Sequence, residues 1–416
     1  MTLMRIFAIS LISALPLYTV RLSLFGLPTT VLELSFILFF LIWLIEVLRF
    51  GRLVEFFSAI PLKKQLGLFL LITFLSVFIS LDPVGGLGIY RAYFLEPVLL
   101  FIIFTDLARR KTIFVTDVLL GFAVSAFYLS ILAIFQYAFR IDWFAPHEIA
   151  AGRVSGLFNS ANALSMYLEL IVFSLGVVVF RDFKVSKRSI FFAVTLILSI
   201  VAIAFSRSNG GLLALFGLII AIILRYIFTA YGFAKRYVGV HSRLFIPFAA
   251  CLFSVTIIFI FFSYVKIGTL PQGPYHGSNT FLIRMIVWTG TYNLLSEHWI
   301  TGAGLDGFKE LYATHYLPTQ YDEHLQYPHN IFLNFWSEIG LVGLLCFIWI
   351  CFSLLQKADQ TRSPVRIIAY GVIFLIFVHG LVDVPYFKND LSMEFWVFAS
   401  LLFFNKRDEL NGSIVS

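Results

Sequence analysis

The sequence predicts an all-α, polytopic membrane protein with about twelve transmembrane helices, in a single integral membrane domain over residues 1–416. Composition is the first observation behind this. Of the residues, 60% are hydrophobic and 13% charged, with a mean hydropathy of +0.92, whereas a soluble domain carries about 25% charged residues. Run length is the second. Stretches such as LELSFILFFLIWLIEVL are unbroken, unlike the short alternating segments of a membrane barrel, and a helix satisfies its own backbone groups in lipid. The third is the distribution of positive charge. The expected spans put 21 of the 30 Lys and Arg residues on one side and 9 on the other. Cytoplasmic loops collect Lys and Arg, so both termini are expected in the cytoplasm. Topology thereby accounts for the net charge of +7, and no basic run is left to suggest a nucleic-acid partner.

Taken in chain order, spans are expected at roughly 4–20, 28–48, 66–80, 92–106, 113–139, 159–180, 189–205, 210–228, 244–265, 330–355, 366–382 and 390–404. Arg5 and the apolar stretch behind it look like a signal peptide, but no small-residue cleavage site follows, so this is read as a retained first helix. The first and third spans are short, which snorkelling or local thinning accommodates, and the fifth is long enough to tilt. Cys251, Cys346 and Cys351 fall inside apolar runs without zinc spacing and are read as small hydrophobes. Between spans 9 and 10, residues 266–328 form one large loop, expected on the periplasmic side and far longer than the usual connection of about 4–6 residues. Within it, Ile283 to Leu295 has helical spacing and is expected to lie along the membrane surface. No internal repeat is visible.

Polar residues gather where helices begin on the outer side. Span 6 follows GRVSGLFNSANALSMYLEL, span 8 follows SRSNGGLLAL and span 10 follows YPHNIFLNFWSEIGLVGLL. An N-cap accounts for Asn159, Asn209 and Asn330. It does not account for Arg153, Arg207 and His329 beside them. Helix N-termini present free N–H groups and about half a positive charge. These ends, together with Arg153, Arg207 and Arg284, therefore attract anions, phosphate above all. Each arginine singly could also reach a lipid headgroup; the set points to an externally facing site for a phosphorylated membrane ligand. Glu169, near the middle of span 6, is the one clear midplane acid, either functional or a structural partner for an arginine. His379 and Asp383 stand at i, i+4 and are read as a hydrogen-bonded structural pair rather than as metal ligands. Glu338 lies about two and a half turns below His329, out of its direct reach. His147, His276, His298, His315 and His324 show no zinc pattern, so neither a metal nor a cofactor is expected.

These segments resemble motifs of the O-antigen ligase and polymerase superfamily. RVSGLFNSANALSMYL is similar to its R-x-x-G-x-F-x-N-x-N segment and SRSNGGLLAL to its S-R-G-G turn. RMIVWTGTYNLLSEHWITGAGLDGFKELY is similar to its R-x-x-x-W … P-x-x-G-x-G-x-x-x-F stretch, and PHNIFLNFWSEIGLVGLL to its H-N-x-x-L-x-x-x-x-E-x-G-x-x-G signature. The four occur in the family's order over roughly residues 90–400. Two departures stand out. Trp299-Ile300-Thr301 occupies the place where the family often has Pro, and Ser208-Asn209 intervene before Gly210-Gly211. The resemblance implies a metal-independent glycosyltransferase of the bacterial inner membrane. It would move a glycan from undecaprenyl diphosphate onto an acceptor hydroxyl at the periplasmic face. The acceptor is lipid A–core for a ligase and a growing glycan for a polymerase. Its partners would be that donor, the acceptor and membrane lipids.

Chemistry then assigns roles. Departure of the diphosphate builds negative charge on the bridging oxygen, which permanently charged Arg153, Arg207 and Arg284 can stabilise. Asn162 and Asn330 are taken as further polar contacts to the substrate. The acceptor hydroxyl must lose its proton, and His329 is expected to take it, with Arg284 as its catalytic companion. A helix N-terminus disfavours imidazolium and keeps a base available near neutral pH. The alternative is that His329 only positions the acceptor or the diphosphate. A secondary transporter, which would gather coupling carboxylates at the midplane around broken helices, is the less favoured reading.

Overall fold

Thr30 opens the first long helix by a reciprocal cap: its hydroxyl accepts from Glu33 N at 3.1 Å, and Glu33 Oε2 accepts from Thr30 N at 3.2 Å. The computed structural model describes residues 3–24, 27–182, 185–230, 280–317, 325–361 and 364–404. The expected ninth span at 244–265, Cys251, His276, His324 and parts of the 266–328 loop lie outside the described residues. In chain order the helices are α1 (Leu3–Ser13), α2 (Val31–Arg49), α3 (Leu53–Ser58), α4 (Lys63–Val77), α5 (Pro83–Ile89), α6 (Glu96–Arg109), α7 (Val115–Phe139) and α8 (Pro146–Ala150). They continue with α9 (Ala161–Asp182), α10 (Lys187–Ser206), α11 (Asn209–Ala230), α12 (Thr280–Glu297), α13 (Phe308–Leu311), α14 (Ile331–Asp359), α15 (Pro364–His379) and α16 (Asn389–Ser400). A short hairpin, β1 (Arg21–Leu24) with β2 (Leu27–Thr30), is the one sheet among the described residues.

Among the described residues, six helical segments are long and apolar enough to cross a membrane. The protein is thus an all-α polytopic membrane protein. Two elements differ from the sequence expectation. The first span is an eleven-residue helix that gives way to a 3-10 turn, Leu15–Thr19, because Pro16 has no N–H to continue the ladder. The fourth begins at Pro83 rather than near residue 92, since Asp82 caps Gly85 N at 2.9 Å and starts a helix through a glycine-rich stretch. A π-helical stretch, Tyr90–Leu95, joins α5 to α6. Its irregular backbone leaves the Tyr93 carbonyl to accept from the Tyr386 hydroxyl at 3.0 Å.

The core is aromatic. Phe335 stacks on Phe347 with centroids 4.1 Å apart, and Phe101 meets Trp396 at 5.2 Å. α9 runs between α7, α10, α11 and α15, while α14 lies against α4 and α15. Glu169 on α9 is fully buried, and its partner is His379 on α15, with Nδ1 2.9 Å from Oε2. This corrects two sequence readings. Glu169 pairs with a histidine and not an arginine, and His379 does not pair with Asp383. The i, i+4 backbone bond from Asp383 N to His379 O persists at 3.0 Å, but the side chains turn to other partners, His379 to Glu169 and Asp383 to His329 and Asn162. Glu169 is also not the only acid in the core, since Asp390 and Glu394 on α16 are fully buried as well.

α12, α13 and the residues between them form a small second core of Ile286, Val287, Leu294, Leu295, Phe308 and Tyr312. It docks on a break in α14. Gly340 there has φ +73 and ψ 173, a conformation open to glycine alone. Leu341 N donates to Ile300 O at 3.1 Å and Ala303 N to Ser337 O at 2.7 Å. Glu338 Oε2 accepts from Asp306 N at 2.5 Å. The G-A-G turn and the E-x-G segment of α14 are therefore two halves of one joint.

Candidate active site

One buried loop between α15 and α16 shapes the site. Three successive carbonyls hold three different donors. Gly380 O accepts from Ile331 N at 2.7 Å, Leu381 O from Asn330 Nδ2 at 3.1 Å, and Val382 O from Arg284 Nε at 2.7 Å. Asp383 follows and reaches His329, with Oδ1 3.3 Å from Nδ1. The loop thereby gathers α12, the start of α14 and the end of α15 at one end of the bundle.

α14 begins at Ile331 with Asn330 as its N-cap: Oδ1 accepts from Phe332 N and Leu333 N at 3.0 and 3.1 Å. Such a cap is worth about 1 kcal/mol. The capping role belongs to Asn330 and leaves the His329 ring free of it. His329 sits in the left-handed region at φ +49, and Trp288 Nε1 holds the preceding Pro328 carbonyl at 2.7 Å. Arg284 and Trp288 lie one turn apart on α12 and so hold the residues just before Asp383 and just before His329, the two partners of the pair. That is the physical content of the R-x-x-x-W spacing.

Asp383 carries a carboxylate that is 7% exposed. Burial works against its charge, but His329 and, less directly, His379 and Arg284 hold its carboxyl well below the usual carboxylate range. An ionised acceptor at Oδ1 selects the tautomer of His329 with the proton on Nδ1, which leaves the Nε2 lone pair unprotonated. Asp383 Oδ2 accepts from Asn162 Nδ2 at 3.0 Å.

The arginines divide into three situations. Arg153 is tethered on every nitrogen, with Nε to Ser206 O at 3.0 Å, Nη2 to Asn162 Oδ1 at 2.7 Å, and Nη1 3.2 Å from Glu148 Oε2. Arg284 is tethered through Nε and faces both Asp383 and Arg153. Burial, against the attraction of Asp383, pushes its guanidinium below the ordinary value, and Arg153 adds to this. Arg207 closes α10 at φ +49 and is exposed. Its Nη1 would lie 3.3 Å from a Cβ placed on Gly152. Among the described residues its guanidinium makes no hydrogen bond or ion pair.

Gly210 and Gly211 open α11 directly over the Glu169–His379 pair. A Cβ on Gly210 would collide with the His379 ring, and one on Gly211 with the Ser165 hydroxyl. The glycines that follow Ser208-Asn209 therefore let α11 approach the end of α15.

All six residues expected from the sequence, Arg153, Asn162, Arg207, Arg284, His329 and Asn330, converge at this end of the bundle. Sequence reasoning missed two participants. Asp383 had been read as the companion of His379, and Glu148, in the five-residue helix α8, carried no motif at all.

Residues 194–348 match the family model described as O-antigen ligase. The matched segment contains Arg207, Arg284, His329 and Asn330, and the joint between the G-A-G turn and α14. No curated protein matches the chain. Over residues 194–348 the chain is thus similar to the O-antigen ligase family, which supports membership of that superfamily and, in general terms, a membrane glycosyltransferase of the ligase or polymerase kind.

Proposed function

We propose that this protein transfers a glycan from a polyprenyl diphosphate, undecaprenyl diphosphate in a bacterial inner membrane, to an acceptor hydroxyl at the periplasmic face. The ligase reading, with lipid A–core as acceptor, is preferred; extension of a growing glycan by a polymerase is the alternative. In the proposed topology both termini are cytoplasmic and about twelve helices span. The observation that carries the reading is a histidine held on one ring nitrogen by a buried carboxylate, with Arg284 acting on the same carboxylate.

His329 Nε2 takes the proton of the acceptor hydroxyl as its oxygen attacks the anomeric carbon. The carbon–oxygen bond to the diphosphate breaks, and its electron pair goes to the bridging oxygen. Arg207 and Arg284 stabilise that charge, as fixed cations do where negative charge develops. Asn330 serves the site by fixing the start of α14, through its cap and its hold on Leu381. A metal is not required for this step, because the guanidinium groups supply the charge.

The test is His329→Asn and His329→Ala in membranes carrying the lipid-linked donor. Asn330 performs the capping, so both variants should insert normally. Both should accumulate donor and lose transfer by about 10²–10⁴-fold, the usual worth of a general base. The wild-type reaction should persist in EDTA. Near-normal transfer by His329→Asn would remove the base from His329, and loss in EDTA restored by a divalent ion would remove the arginine-only mechanism.

A further inference from the structure

Arg153 is the most firmly tethered cation at this end of the molecule, and its tethers form a directional chain. Glu148 is buried, its Oε1 accepts from Ala161 N at the start of α9 at 2.9 Å, and its Oε2 faces Arg153 Nη1 at 3.2 Å. Arg153 Nη2 donates to Asn162 Oδ1 at 2.7 Å, which leaves Nδ2 as the atom turned toward Asp383 Oδ2 at 3.0 Å. Asp383 Oδ1 is then the oxygen left for His329 Nδ1 at 3.3 Å and for Val384 N at 3.0 Å. Each link fixes the polarity of the next, because a guanidinium can only donate, an amide oxygen can only accept and an amide nitrogen can only donate. A carboxylate with Asn162 on one oxygen cannot turn that oxygen to the imidazole.

We propose that Glu148, Arg153 and Asn162 are positioning residues that act through Asp383 on His329, and that Arg153 is not a ligand of the donor diphosphate. They hold the imidazole with Nδ1 toward the carboxylate and Nε2 toward the acceptor. This rests on His329 being the base. A ligand role for Arg153 would need its guanidinium to leave Ser206, Asn162 and Glu148, and a buried carboxylate stripped of its cation is strongly unfavourable. The diphosphate is then left to Arg207, exposed and unpaired among the described residues, and to Arg284.

The test is a set of steady-state measurements on the full chain in detergent, with lipid-linked glycan as donor. The variants are Asn162→Asp, Glu148→Gln, His329→Asn, and each of the first two combined with His329→Asn. Asn162→Asp keeps the acceptor for Arg153 but places an acceptor against Asp383, so the ring loses its orientation. Its kcat should fall about 10–10²-fold, the cost of a small misplacement of a reacting group, while KM for the donor stays within about twofold. Glu148→Gln keeps an acceptor for Ala161 N and should lower kcat in the same way by a smaller factor. In the His329→Asn background both losses should vanish, since residues acting as one unit are not additive. If Asn162→Asp does not accumulate in the membrane, Glu148→Gln carries the same comparison. A raised donor KM with kcat preserved would make these residues substrate ligands, and losses that multiply in the double variants would place their action elsewhere. An inactive His329→Asn with fully active Asn162→Asp and Glu148→Gln would overturn this chain alone; an active His329→Asn would overturn the base as well.

Discussion

Two demands meet at His329. Its backbone lies in the left-handed region, which costs a non-glycine residue roughly 1–2 kcal/mol, and its ring must face Asp383. Trp288 on Pro328 and the Asn330 cap on the other side fix the backbone, so the strained geometry persists without help from the ring. The same economy of atoms separates the arginines. Arg284 commits Nε to Val382 O as one N–H of a planar fork, whereas lysine offers a single point charge. Arg284→Ala should therefore lower transfer by about 10²-fold or more, in the range of losing one oxyanion donor, and Arg284→Lys should recover little, because one ammonium cannot both tether and bind. Arg207→Lys should recover more, since Arg207 has no tether to give up. Transfer in membranes with matched protein levels measures both; equal recovery at the two sites would contradict the division. At this scale the motif residues were legible because charge and imidazole on an apolar chain stand out. Their partners were not. Asp383 lies 54 residues from His329, and nothing local distinguishes Glu148 from any loop carboxylate.

Glycine governs how the elements meet. At Gly340 the break in α14 admits the Ile300 carbonyl, and a Cβ there would run into that oxygen. Gly340→Ala should then destabilise the protein by at least about 2–3 kcal/mol, combining the backbone penalty with the clash. A thermal melt in detergent should show the drop, and an unchanged midpoint would mean that α14 can close without the joint. Gly210 is a second such contact, where α11 lies on the His379 ring. Helices themselves were largely legible, because lipid demands length and unbroken hydropathy. What escaped was irregular backbone: the 3-10 turn at Pro16, the hairpin before Thr30, and the π-helical stretch at Tyr90–Leu95. Of these the π-helical stretch makes a contact distant in sequence, the Tyr386–Tyr93 hydrogen bond. The i, i+4 rule failed at His379 and Asp383 because the spacing sets the backbone bond alone, while partners distant in sequence, Glu169 and His329, take the side chains.

Across the whole molecule both ends pair part of their charge. At the end where Lys and Arg were counted as cytoplasmic, Arg5 pairs with Asp117 at 2.6 Å and Arg110 with Glu46 at 3.1 Å and with Asp106. At the other end Arg91 pairs with Glu33 at 2.5 Å and Arg153 with Glu148 at 3.2 Å, while Arg207 is unpaired among the described residues. Between them the surface is apolar, with Ile45, Ile197 and Phe216 each more than half exposed, as a lipid-facing belt requires. Reporter fusions after Lys187 and Lys357 should accordingly be cytoplasmic, and fusions at Gln272 or Gln320 periplasmic. A cytoplasmic reporter at Gln320 would put His329 on the side away from the proposed acceptor.

The loop at Gly380–Asp383 also sets a sequence of events in time. A ribosome delivers the chain from its N-terminus, so Arg284 and His329 enter the membrane before the carbonyl and carboxylate that hold them. Until that last hairpin is threaded, Arg284 and Asn330 have no backbone to grip, and the imidazole has no counter-charge to set its tautomer. On the proposed function, competence therefore arrives only with the closing of α15 onto α16.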